Sequence, residues 1–139
     1  MSRRGQALLE LAVALPAVLM LALGSAALLR LADAKAGLDG ATAAAVADAA
    51  RQASAAEAYG CANLRFAAIA SRYPLLSAHL TLSGSFARGS LYTGSAKATV
   101  DLSFVPLWFL PRAVTIASQA GALVEPWRSR GEHLCSYPL

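Results

Sequence analysis

The chain opens with MSRRGQALLELAVALPAVLMLALGSAALLR, residues 1–30, and this stretch decides the fold. Residues 7–29 form an apolar run that carries a single charge, Glu10. A helix of that length spans roughly 34 Å, which is enough to cross the hydrocarbon core of a bilayer. Pro16 lies inside the run and should bend the helix, since it removes one backbone hydrogen bond. The stretch therefore predicts a membrane helix, and Glu10 is the residue in it that needs an explanation.

The orientation of this helix is predicted from the charges beside it. Arg3 and Arg4 precede the apolar run, and almost all of the chain follows it. We therefore expect a single-pass protein of the cytoplasmic membrane, with a cytoplasmic N-terminus and an extracytoplasmic C-terminal domain. The alternative is a secretory signal cut near Gly24, but the apolar cores of such signals are shorter, about 7–15 residues.

Beyond the membrane run, residues 31–58 lack proline and are rich in alanine, the best helix former. Apolar residues recur there at steps of three and four, which predicts that the membrane helix continues outward and packs through a narrow stripe. Tyr59, Gly60 and Cys61 are expected to break this pattern, and a second short helix is expected over residues 63–72. The predicted stripe consists of Leu31, Ala34, Leu38, Ala41, Ala45, Ala49, Ala53 and Ala56.

The second half of the chain is typical of strands. Apolar and polar residues alternate over residues 79–85, 96–104 and 114–122, and a glycine-containing connection lies between the first two segments at 84–94. The residues expected to share one face of each strand are Leu80 and Leu82 in the first, Ala98, Val100, Leu102 and Phe104 in the second, and Val114, Ile116, Ser118, Ala120 and Ala122 in the third. Sequential antiparallel pairing gives a sheet of about three strands. The predicted fold class is α+β, with an exported helical region at 31–73 and an exported antiparallel β region with a C-terminal tail at 74–139.

The N-terminal residues also resemble a known family. The segment RRGQALLE at 3–10, followed by Leu15 and Pro16, is similar to the start of the TadE/TadG-like proteins. These are minor pseudopilins of the tight-adherence (Tad/Flp) pilus, in the type IV pilus superfamily. The connector FVPLWFLP at 104–111 and the strand after it also resemble the family. The resemblance rests mainly on residues 3–30 and secondarily on 95–125.

The resemblance implies a pilin-like fold, in which a long N-terminal helix packs on the sheet. It also implies that prepilin peptidase cuts between Gly5 and Gln6, so that residues 1–5 are a cytoplasmic leader and 6–30 the mature transmembrane helix. Glu10 would then pair with the N-terminal amine of a neighbouring subunit. The partners implied are other pilus subunits or assembly-platform proteins. The alternative for Glu10 is that its carboxylate merely reaches the membrane interface.

The two cysteines, Cys61 and Cys135, lie near the start and end of the exported part. An exported topology favours a disulfide between them. In the chain-entropy model, a disulfide that closes the loop from residue 61 to residue 135 contributes roughly 4 kcal/mol to the stability of the fold. The alternative is two unrelated thiols.

The connector between the last two predicted strands is too apolar for a routine turn. Trp108 and Phe109 lie in it between two prolines. They are expected either to touch the membrane surface or a neighbouring subunit, or to fill the core at the sheet edge.

Residues typical of other functions are missing from the sequence. The 12 basic and 8 acidic residues are scattered, so nucleic-acid binding has little support. Common nucleotide-binding, hydrolase and metalloprotease motifs are absent. A zinc set can be written from His79, His133 and the two cysteines, but its spacing matches no common module. We expect no enzyme activity, no metal and no cofactor.

Two other functions remain open alongside a pilus subunit. One is an exported binding module that stays anchored by its uncut helix. The other is a soluble protein released near Gly24.

Overall fold

The computed structural model describes residues 3–104, 111–125 and 135. It contains two helices, α1 (Arg3–Ala50) and α2 (Ala55–Ala70), followed by three strands, β1 (Leu76–Gly84), β2 (Leu91–Asp101) and β3 (Ala113–Leu123). The strands form one antiparallel sheet in the order β1-β2-β3. The predicted α+β fold, with a long N-terminal helix packed on a three-stranded antiparallel sheet, is confirmed.

The surroundings of α1 change along its 48 residues. Its N-terminal part is exposed, whereas its C-terminal part is buried at every third or fourth residue. The helix continues through Pro16. The predicted stripe is thus confirmed up to the end of α1. Fully buried members of the stripe are Ala34, Leu38, Ala41, Ala45 and Ala49.

The end of the long helix differs from the prediction. α1 ends at Ala50 rather than near residue 58, and α2 begins at Ala55. Ser54 is the N-cap of α2, and its side chain accepts a hydrogen bond from the Glu57 backbone N–H at 3.3 Å. A serine followed three residues later by glutamate is a helix-start signal. The surrounding alanines concealed it, because alanine favours helix on both sides of the break.

The second helix is correspondingly longer than the predicted 63–72, and the expected break at residues 59–61 lies inside it. α2 packs against α1. Most side chains on the buried face of α2 are small, so the contact between the two helices is rich in alanine. The buried residues of α2 are Ala58, Cys61, Ala62, Phe66 and Ala70.

The central strand β2 begins at Leu91, earlier than the predicted residue 96. Its residues alternate between buried and less buried positions, and Gly94 is one of the buried ones. A Cβ at Gly94 would overlap the Val46 side chain of α1. Gly94 therefore marks a close approach between helix and sheet, and its turn-like composition placed it wrongly in the connection. The connection between β1 and β2 is residues 85–90.

The core lies between α1, α2 and the inner face of the sheet. The predicted face of the last strand is confirmed, since Val114, Ile116, Ser118, Ala120 and Ala122 are all less exposed than their neighbours. Ten of the eighteen buried apolar residues in the described part of the chain are alanines. Because alanine removes little apolar area from water, this core depends on close backbone approach.

Candidate membrane segment and its junction with the sheet

The exposed part of α1 has the composition of a membrane-spanning segment. Large apolar side chains such as Val13, Leu21 and Leu29 are each 72% exposed. The most apolar window in Leu9–Ala50 has a hydropathy of 2.3, and only 6% of it is buried. A core helix of a soluble protein would be mostly buried. By length and composition this helix is sufficient to cross a membrane, a test that a signal sequence near the N-terminus also passes.

The residues of the predicted cleavage site lie in the first turns of α1. Gly5, Gln6 and Glu10 are all helical, and the side chains of Gln6 and Glu10 are exposed. Residues four apart lie on the same face of a helix. A cut before Gln6 would therefore place a new ammonium group one turn from the Glu10 carboxylate.

The sheet meets α1 at the outer end of the apolar run. Ala34 of α1 packs with Val100 and Leu102 near the end of β2, and Leu31 and Val114 are packed against this cluster. Because residues 7–29 are the apolar run, the base of the sheet lies where that run ends.

An apolar groove opens at this junction, on one side of α1. It has a volume of about 580 Å³. Among the lining residues that the structure describes, only Ser25 has a polar oxygen or nitrogen in its side chain, and its hydroxyl donates to the Leu21 carbonyl at 2.8 Å. The groove is therefore apolar in effect. It is lined by Met20, Leu21, Gly24, Ser25, Ala27, Leu28 and Leu31 of α1 and by Leu102, Pro111 and Val114.

Charged residues surround the junction just beyond the apolar run. The guanidinium carbon of Arg30 lies 5.2 Å from the centroid of the Phe104 ring, a cation–π contact. Nearby, the Ser103 backbone N–H and hydroxyl donate to the Asp101 carboxylate at 2.8 and 2.9 Å. These bonds, helped by the charge of Arg30, hold the pKa of Asp101 below its usual value.

Lys35 connects α1 to the sheet. Its Nζ lies 2.6 Å from the Asp39 carboxylate and donates to the Ala117 carbonyl of β3 at 2.7 Å. Hydrogen bonds from Lys35 and then Ser118 lower the pKa of Asp39. Both side chains of the ion pair are about half exposed. The four-residue spacing of Lys35 and Asp39 in a helix predicts their ion pair from sequence. The hydrogen bond from Lys35 to Ala117 could not be predicted in this way, because the two residues are far apart in the chain.

The predicted cysteine pair is present. Cys61 and Cys135 form a disulfide with their Cα atoms 5.5 Å apart, and Cys61 is buried in α2. The bond attaches the C-terminal tail to the helical layer. Within residues 3–104, 111–125 and 135, no three His, Cys, Asp or Glu side chains come together as a metal site. Trp108, Phe109 and His133 lie outside the described residues.

In comparisons with known proteins, no family model, curated protein or solved structure matches this chain.

Proposed function

We propose that this protein is a minor pseudopilin or assembly factor of a Tad-type pilus, a member of the type IV pilus superfamily. One observation supports this most directly. A single helix, α1, has an exposed apolar half and then a buried half that is packed on a small antiparallel sheet. In such a protein the membrane anchors the first half, while the second half holds the extracytoplasmic domain at a defined distance from the bilayer.

Prepilin peptidase would cut the chain between Gly5 and Gln6, at the cytoplasmic side of the membrane. A carboxylate near the bilayer centre costs about 2.5–3.5 kcal/mol, and less towards the interface. The ammonium group created at Gln6 of a neighbouring subunit would offset the cost at Glu10. Pairing of these two groups would set the register of subunits as they assemble with each other or with platform proteins.

The mass of the mature protein tests the processing step. We expect the purified chain to begin at Gln6, and a Gly5→Leu variant to retain its leader. A wild-type chain that begins at Met1 or Ser2 would instead identify an uncut membrane-anchored module. A chain that begins near Ser25 would identify a released soluble protein.

The role of Glu10 is tested separately from membrane insertion. Glu10→Ala should abolish co-purification with other pilus subunits and filament formation, because the ammonium group loses its partner. The variant should still resist extraction by alkaline carbonate. Leu9→Ala is the matched control, since it truncates the neighbouring exposed side chain and leaves the carboxylate. Normal filaments with Glu10→Ala would show that the carboxylate does not set the register.

A further inference from the structure

The groove between α1 and the base of the sheet lies at a depth that matches one leaflet of a bilayer. Met20 lies about 20 Å along a helix that begins at residue 7, and Leu31 lies about 17 Å further on. The hydrocarbon core is about 30 Å thick, so each leaflet contributes about 15 Å. In the proposed membrane orientation, the groove therefore extends through the outer leaflet and ends at its polar surface.

The apolar groove and the arginine near its outer end follow the same order as the acyl chain and the phosphate of an outer-leaflet phospholipid. At this end Leu31 and Val114 pack against the cluster that contains Val100 and Leu102. Arg112 is held at this end, because its carbonyl accepts a hydrogen bond at 2.8 Å from the backbone N–H of Leu102, a lining residue. The Arg112 side chain is exposed. The groove thus has an apolar lining, and an exposed arginine directly follows its lining residue Pro111 in the chain.

We propose that this groove binds one acyl chain of an outer-leaflet phospholipid, with the lipid phosphate beside Arg112. This inference rests on the membrane anchoring in the proposed function and adds a specific ligand to it. A membrane helix from a second copy fits the groove less well, because α1 continues beyond its apolar run and a second α1 would meet the base of the sheet there. An acyl chain can begin at the outer end of the groove, because the glycerol and phosphate lie in the polar layer.

A bound chain would fill the angle between α1 and the base of the sheet, between the lining residues of the helix and those of the sheet. It would also position the domain on the membrane. The phosphate would contact Arg112 on the sheet side, while the acyl chain contacts Leu21 and Leu28 of α1. The lipid would then hold the sheet against the helix at the level of the headgroups.

The test uses the full chain in nanodiscs of phosphatidylglycerol and phosphatidylethanolamine that contain a phospholipid with a photoreactive acyl chain. After illumination, mass spectrometry locates the adducts. We expect adducts to be enriched at Leu21, Leu28 and Val114 over Leu19 and Leu29, which do not line the groove. Even labelling of all exposed residues of the apolar run would overturn the proposal, as would cross-links between chains at the groove in place of lipid adducts.

Two variants sharpen this test. Gly24→Leu fills the groove, and the position tolerates a side chain because a Cβ there meets nothing within 4 Å. Ala26→Leu adds the same bulk at an exposed position that does not line the groove. Gly24→Leu should reduce groove adducts at least about tenfold, equivalent to about 1.4 kcal/mol of binding free energy, while Ala26→Leu leaves them unchanged. Equal adduct yields from the two variants would contradict a specific site.

The phosphate contact needs its own comparison. Arg112→Gln should lower labelling by the photoreactive phospholipid but not by photoreactive diacylglycerol, which lacks the phosphate. Equal loss with both lipids, or no loss with either, would remove Arg112 from the site. Alkaline carbonate extraction tests the membrane anchoring separately from the lipid site. A wild-type chain that leaves the membrane disproves both the anchoring and the lipid site, whereas an anchored chain without groove adducts disproves the lipid site alone.

Discussion

Gly94 is the position at which a single methyl group should disturb this fold most clearly. It faces inward from the central strand β2, beneath Val46 of α1. A Cβ added there would overlap a Val46 methyl group, and it would lie 3.3 Å from Leu82 Cδ2 and 3.5 Å from Leu80 Cδ1. Val46 is itself almost fully buried, so it has little room to move. Gly94→Ala must therefore push α1 away from the sheet or displace a buried side chain.

The expected size of the effect follows from two opposing contributions. Overpacking a tight core costs about 1–3 kcal/mol. Replacing glycine by alanine inside a strand recovers roughly 0.5–1 kcal/mol of backbone entropy. The difference of the two midpoints predicts that Gly94→Ala lowers the free energy of unfolding by about 1 kcal/mol, with an upper limit of about 2.5 kcal/mol. For a domain of this size each kcal/mol lowers the melting temperature by about 4–8 °C.

The measurement is thermal unfolding of the full chain in detergent, followed by circular dichroism in the β-sheet region. Gly121→Ala is the matched control, because Gly121 is one step away in the register but on the outer face of the sheet. A Cβ there meets the exposed Leu91 side chain, which can move aside. The control should therefore keep wild-type stability or gain up to about 1 kcal/mol, because only the backbone-entropy contribution remains.

A double-mutant cycle tests whether Val46 is the cause. Val46→Ala alone should destabilise the protein, because it leaves a small cavity. In the Val46→Ala background, Gly94→Ala should cost less, with a coupling of about 1 kcal/mol. A Gly94→Ala protein as stable as wild type, or equal costs in both backgrounds, would refute the close-packed contact between α1 and β2.

The remaining predictions concern a second glycine, the disulfide and an acid. Gly37→Ala should lower the melting temperature because its Cβ would overlap the Tyr73 ring, whereas Gly40→Ala, with open space around it, should raise stability by roughly 0.5–1 kcal/mol; equal shifts would contradict this. Cys61→Ser should lower unfolding free energy by about 2–5 kcal/mol in denaturant titrations, and a smaller loss would show that the bond does not constrain the fold. Because the pKa of Asp39 is lower in the folded state, its carboxylate stabilises the fold at any pH above its pKa in the unfolded chain. This stabilisation is lost as the pH falls through the pKa of Asp39 in the folded state. Wild type should therefore lose more stability than Asp39→Asn below about pH 4, by a few tenths of a kcal/mol because the pair is exposed; identical pH profiles would exclude this contribution.

Much of the fold could be predicted because its signals are periodic and local. Alternation placed Leu80, Leu82 and Val100 on the inner face of the sheet, where the structure has them. The three- and four-residue spacing similarly predicted the buried positions of α1 through Ala49. Such patterns survive folding because the burial of one face of each element is what stabilises it.

The sequence prediction was wrong where one residue type is compatible with two different local structures. Alanine favours helix both inside α1 and across its end, so the break at residues 51–54 was missed although Ser54 signals it. Glycine is typical of turns, but Gly94 lies in β2, where the lack of a side chain leaves room for Val46 of α1. The groove was not predictable at all, because Pro111 and Val114 meet Leu28 only through the tertiary fold.

The distribution of apolar residues connects the fold to the proposed membrane role. The interior uses mainly alanine, so each buried residue contributes little hydrophobic free energy. The leucines and valines of the apolar run are larger, and most of them are more than half exposed. The greatest hydrophobic burial available to this chain therefore lies outside its own core. A bilayer around that run would stabilise α1 as a helix, and α1 in turn carries one wall of the core. Anchoring in a membrane and stability of the helix–sheet domain should thus be coupled through this one helix.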